Sequence, residues 1–304
     1  MWLTKLNKKT ISLSLALLLM LDAAAAVGLA EYFLLKRYYT GRASGQQAEP
    51  QLEEITRQVL PAGGYTTSIS WGDLGKKLVE AGAIDENKYQ QTFTSKADGQ
   101  EELGLLEGNS DKKIAVSENN SRFLVNTLWA LGLTNKSKVL DEGPMATYDV
   151  PTENFASTAG WTLGKKQAME LYSSQEIIPL TEAQQEQVKK IAENVYRPCC
   201  GNHTAFPDCN HGMAALGYIE LAVANGLSEK QIYQDLLAFN SFWFPQTYVE
   251  MAVYFETEKG VSWNKVDAKL ALSNEYSSAQ GAQKIRQAVQ NVEGLKSQGG
   301  SCGA

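Results

Sequence analysis

An apolar run from Ile11 to Leu35 constrains this chain more than any other feature. It is about 25 residues long, and a helix that spans a bilayer needs about 20. Lys5, Lys8 and Lys9 precede it, and Lys36, Arg37 and Arg42 close it. Tyr32, Tyr38 and Tyr39 form an aromatic band at the second end. Asp22 and Glu31 interrupt the run. A charge near the bilayer centre is costly, so Asp22 is expected nearer an interface or paired within an oligomer. The rival reading is a cleaved signal peptide, with Gly28 and Ala30 as the small residues before the cut. The apolar character continues past that point through Tyr32, Phe33, Leu34 and Leu35. The run therefore predicts a single transmembrane helix in a membrane anchor over residues 1–40. The membrane becomes a partner through residues 11–35, and the bulk of the chain is expected outside the cytoplasm.

The rest of the 304 residues is 43% apolar and 20% charged over the whole chain, enough material for a sizeable core. The net charge of −6 is spread without a basic face, which excludes nucleic acid as a partner. Residues 41–50 are small and polar and read as a linker. Helical periodicity then dominates. Ser70 reads as the N-cap of a helix running to Gly82, with Asp73 as its capping-box partner, and Asp85 opens the next helix. Residues 96–120 read as a loop. A helix over 122–131 is expected to end at Gly132. Residues 143–162 hold Pro144, Pro151 and Gly160 and read as a long irregular segment, a type of segment that is often functional.

The second half is better punctuated. Thr181 with Gln184, and Ser228 with Gln231, have the spacing of capping boxes, and Pro245 suits the first position of a helix. No alternation of apolar and polar residues is long enough to predict a strand. The expected fold class is all-α: one N-terminal transmembrane helix followed by a helical soluble region. That region divides into a subdomain over 51–180 and a second over 181–297, with a glycine-rich tail over 298–304.

Chemistry concentrates in one place. Both histidines of the chain and three of its four cysteines lie between Cys199 and His211, in the segment Cys199-Cys200-Gly201-Asn202-His203 to Asp208-Cys209-Asn210-His211. Asp208 reads as a helix cap with Cys209 in the first turn, where the positive end of the helix dipole favours a thiolate. Three readings stay open. Cys199, Cys200 and Cys209 would serve as catalytic thiols in thiol–disulfide exchange. Alternatively Cys199, Cys200, His203, Cys209 and His211, with the thioether of Met213, would offer soft donors to copper or zinc. The third reading is a structural disulfide in a non-catalytic envelope scaffold. The spacing is neither that of a zinc ribbon nor that of a thioredoxin-type site. Expected partners are a protein thiol or a metallochaperone. Cys302, in the tail, reads as an intermolecular linker or as a residue without a role.

The residues from about Gln184 to Pro245 resemble the thiol domain of the membrane-anchored cytochrome c maturation proteins of the CcmH type. The resemblance rests on Ile191 to Tyr196 before Cys199, on the turn Gly226-Leu227-Ser228-Glu229-Lys230-Gln231-Ile232, and on Phe239 and Trp243 closing the next helix. It implies a three-helix unit with cysteines in its first loop, handling apocytochrome thiols outside the cytoplasm. The chain departs from that family by carrying Cys199-Cys200 in place of C-x-x-C, and by the additional Cys209-Asn210-His211.

Elsewhere the carboxylates at Asp73, Asp85 and Glu86 are better explained as caps and solvated surface than as acid–base machinery. Phe242-Trp243-Phe244-Pro245 reads as core packing. Gly160 to Lys166 lacks the spacing of a phosphate-binding loop.

Overall fold

Two segments pair as a sheet: the first overlaps the expected helix only at residues 70–72, and the second lies within the expected loop 96–120. In Tyr65–Gly72 (β1) the residues Thr67, Ile69 and Trp71 point into the core, and their neighbours face outward. Ser110–Val116 (β2) runs antiparallel to it, pairing Tyr65 with Val116 and Gly72 with Ser110, with irregularities on either side of Ser70. The pattern is the two-residue period of a half-buried strand, written in serine and threonine as much as in large apolar residues.

The computed structural model describes residues 31–32 and 51–295. The chain divides into two units, Met1–Gln51 and Leu52–Ala304, and the account below concerns the second. The expectation of an all-α chain with one N-terminal transmembrane helix is corrected on two counts. The β1–β2 sheet makes the fold mostly helical with a small sheet. Among the described residues, no helix is long and apolar enough to cross a membrane. The run 11–35 lies outside the described residues except for Glu31 and Tyr32, as do the linker 41–50 and the tail 298–304 with Cys302.

The longer helices are α1 (51–59), α2 (Leu74–Ala81), α3 (Glu86–Thr92), α4 (Ser121–Thr134), α5 (Glu182–Ala192), α6 (Asn210–Ala224), α7 (Glu229–Trp243), α8 (Pro245–Lys259) and α9 (Ala279–Val289). Several boundaries sit where their capping chemistry predicts. Thr181 and Gln184 complete a reciprocal capping box, Ser228 accepts from the Gln231 amide, and Asp85 accepts from the amides of Asn87 and Lys88. Pro245 begins α8, and Gly82 ends α2 in the left-handed conformation. Ser70 is not a cap. It lies in β1, and α2 starts after Asp73.

The centre of the fold is the crossing of α4 and α6. Gly132 does not end α4 but sits inside it, against Gly217 of α6. A Cβ on Gly132 would lie 2.0 Å from the Met213 carbonyl oxygen, and one on Gly217 would lie 2.5 Å from that of Leu128. Bare Cα atoms let the two backbones touch, and the main core forms around that contact, including Leu124, Leu128, Leu131, Leu216 and Ile219. Glu220 is buried beside it, accepting from the Asn135 amide at 2.9 Å. A second cluster joins Ile55 and Val59 of α1 to Tyr248, Met251 and Phe255 of α8 and Ile285 of α9. On the sheet side, Asp235 accepts from the Tyr65 hydroxyl at 2.6 Å and from that of Tyr218, tying β1 to α6 and α7.

Candidate metal and thiol site

α5 ends at Ala192, with Glu193 as its C-cap, well before Pro198, and the segment from there to α6 becomes a tight loop held from several sides. Its first strand-like turn pairs Tyr196 with His203. Thr204 donates to the Val195 carbonyl from both its amide and its hydroxyl. The Tyr196 amide donates to Leu272 O at 2.8 Å, and the Ala279 amide, at the start of α9, donates to Cys200 O at 2.9 Å. The irregular segment 143–162 reaches the same loop, where the Ser157 amide donates to Asp208 O at 3.1 Å.

Three sulfurs meet inside this frame. The Sγ atoms of Cys199, Cys200 and Cys209 all lie within 4.8 Å of one another, and Cys199 and Cys209 are 3.5 Å apart. A disulfide requires about 2.05 Å, so the three are free thiols here. They can hold a metal ion or, with a small movement, close a disulfide. Asp208 was expected to cap α6. The structure gives that position to Cys209, whose sulfur accepts from the Gly212 amide at 3.4 Å.

Asp208 is occupied elsewhere, and that is the feature sequence reasoning missed. The guanidinium of Arg197 is buried, 1% exposed, and every bond it makes goes to this loop. Nε donates to Cys209 Sγ at 3.1 Å, Nη1 to Asn202 O at 3.1 Å, and Nη2 to Phe206 O at 3.1 Å and Asp208 Oδ1 at 2.6 Å. Asn202 Nδ2 donates to the other Asp208 oxygen at 2.9 Å. A signal was present: Arg197 is the one formal charge between Glu193 and Asp208, two positions before the cysteine pair.

The electrostatics follow. The neighbouring thiols of Cys199 and Cys200, with the Arg197 guanidinium, hold the Cys209 thiol well below its ordinary value against the cost of burial. The charge that Cys209 takes is not shared. Cys199 is pushed up by its bonds to the other two sulfurs and by burial. For Cys200 the bond to Cys199 acts downward, but the Cys209 sulfur and burial outweigh it and raise the thiol to about 11. Arg197 is held charged by the three sulfurs and Asp208, which overcome its desolvation.

The remaining expected donors lie around this centre. Among the described residues, the group of mutually close Cys, His, Asp and Glu donors contains the three cysteines and neither histidine. His203 packs its ring edge-on to Tyr196, and burial lowers its pKa. His211 is in the first turn of α6, its ring tilted over Phe244 at 4.4 Å between centroids. Burial pushes it down to about 4, so it is neutral at ordinary pH, and its Nδ1 has no hydrogen-bond partner. Met213 is fully buried in the main core. Comparison of the chain with family models, with curated proteins and with solved structures finds no match.

Proposed function

We propose that Cys199, Cys200 and Cys209 hold a single soft metal ion through their sulfurs. The observation that carries this reading is the spacing of the three Sγ atoms, all within 4.8 Å of one another and none bonded to another. Two sulfurs about 2.3 Å from a shared tetrahedral ion stand roughly 3.8 Å apart, in the range of this cluster. Thiolate donors select soft or borderline ions over magnesium or calcium. Arg197 suits the role as an outer partner, because its bond to Cys209 Sγ fixes one ligand. Metal uptake would displace the protons that Cys199 and Cys200 carry.

The test is the metal content of the full chain purified under reducing conditions, with free thiols counted in parallel. About one equivalent of a soft metal is expected, lost in Cys209→Ser. A chain that holds no added metal, with all its thiols titratable, sinks the reading.

One observation favours a second reading, thiol–disulfide exchange: Arg197 donates to Cys209 while Cys199 waits 3.5 Å away. The Cys209 thiolate would attack one sulfur of a partner's disulfide, forming a mixed disulfide and expelling a thiolate. Cys199, losing its proton to solvent, would then attack Cys209 Sγ and release the partner's second thiolate. Two electrons pass to the partner, and the Cys199–Cys209 bond remains. A readily reduced Cys199–Cys209 disulfide in metal-free protein is the expected sign.

A further inference from the structure

We infer that the ion this site is built for is trivalent, three-coordinate and thiophilic, of the arsenite class, bound as a neutral trithiolate. The inference rests on the single-ion reading above and adds the identity of the ligand.

The donor set is the first reason. Among the described residues, the Cys, His, Asp and Glu donors that lie mutually within reach number three, all of them sulfur. Structural zinc sites take four protein donors in a tetrahedron. Trivalent arsenic takes three and keeps a lone pair where a fourth would stand.

Charge is the second. Arg197 and Asp208 already form an ion pair at 2.6 Å, with the arginine 1% exposed. That pair cancels itself. Three thiolates around a monovalent ion leave two negative charges, and around a divalent ion one. Around a trivalent ion they leave none. All three cysteines are partly buried, and an uncompensated charge out of water is costly. The trivalent ion alone closes the account.

The reaction is a ligand exchange. Arsenous acid loses three As–O bonds and gains three As–S bonds. The thiols of Cys199 and Cys200 each give a proton to a departing hydroxide, which leaves as water. The third hydroxide, displaced by the Cys209 thiolate, takes its proton from solvent. Arsenic stays trivalent, so no oxidant or reductant takes part.

The experiment uses the full reduced chain with Cys302→Ser, so that the three site thiols are the only ones. Arsenite is titrated in and followed by its ultraviolet sulfur–arsenic absorption, by native mass and by protection from alkylation. One equivalent is expected, carrying the mass of one arsenic less three hydrogens and protecting all three thiols. Equimolar zinc(II) or copper(I) should not displace it. Cys199→Ser and Cys200→Ser, each checked for folding by circular dichroism, should each weaken binding beyond the roughly tenfold to hundredfold typical of losing an outer partner. If zinc(II) or copper(I) binds and expels arsenite, the arsenite assignment falls while the single-ion reading stands. If none of the three ions is held, both fall.

Discussion

The guanidinium of Arg197 lies against the bare Cα of Gly212: a Cβ built there would stand 2.4 Å from Cζ and Nη2 and 2.7 Å from Nε. Two residues from different sides of the cysteine loop are thus fitted to one another, and the fit aims Nε at the Cys209 sulfur. Gly212→Ala leaves the charge in the protein but moves it. A hydrogen bond to a charged group is worth about 1.5–3 kcal/mol. Losing that bond and moving the charge away, the Cys209 thiol should titrate higher in the variant. Alkylation rate of Cys209 against pH, resolved by mass spectrometry of its peptide, measures this. An unchanged profile would separate Arg197 from thiolate stabilisation.

Arg197→Lys tests the fork rather than the charge. A lysine ammonium is a single point and cannot meet Cys209 Sγ, Asn202 O, Phe206 O and Asp208 Oδ1 at once. The loop would keep a cation and lose most of its fastening. A loss of about 3 kcal/mol in unfolding free energy is expected for the metal-free protein, read from urea midpoints at constant slope. A loss below about 0.5 kcal/mol would mean that the loop is held by its backbone bonds to Thr204, Ala279 and Ser157 alone.

At the α4–α6 crossing two effects oppose each other, and their sizes decide the outcome. Alanine in place of a helical glycine gains about 1 kcal/mol of intrinsic propensity. At Gly217 the added carbon would lie 2.5 Å from Leu128 O and 2.6 Å from the Gly132 amide nitrogen, and neither backbone atom can rotate away. Overpacking of this kind costs about 1–3 kcal/mol or more. Gly217→Ala should therefore be a net destabilisation of up to about 2 kcal/mol, visible as a lower thermal midpoint. Alanine at Gly226, where a Cβ meets nothing within 4 Å, should show only the cost of its positive φ.

These residues also show what the sequence carried and what it hid. Caps made by neighbours were legible: Thr181 with Gln184, Ser228 with Gln231, and Pro245 each act within one turn of the chain. Roles set by distant partners were not. Gly132 has the look of a helix end, and only Gly217, far along the chain, explains why it lies inside one. Asp208 and Cys209 are both competent caps, and Arg197 decides between them by taking the Asp208 carboxylate. β1 is a strand because β2 pairs with it across two helices, while its own Ser70 suggests a cap. The convergence of the three sulfurs followed from local geometry, since the short loop between α5 and α6 brings Cys199 and Cys200 back to Cys209. The histidines had sequence proximity in their favour, yet the loop turns His203 onto Tyr196, and α6 turns His211 onto Phe244.

Glu220 gives the chain a stability that depends on pH in an unusual direction. Burial raises its carboxyl to about 8, against an ordinary value of 4.5, and the Ser137 hydroxyl and the Asn135 amide offset only part of this. The folded state therefore prefers the protonated acid. Between the two values the folded chain binds more proton than the unfolded one, so stability is fully present below about pH 4.5 and falls as pH rises toward 8. The limiting slope is about 1.4 kcal/mol per pH unit. Glu220→Gln keeps the shape and the acceptor for Asn135 but cannot ionise. Subtracting its unfolding free energy from that of the parent at each pH isolates this one group from the other titrating side chains. The difference should drift against the parent across pH 5 to 8 and level off above about 8. A difference that stays flat over that window would mean that Glu220 is already ionised in the folded protein, its charge met by the Asn135 amide and the Ser137 hydroxyl.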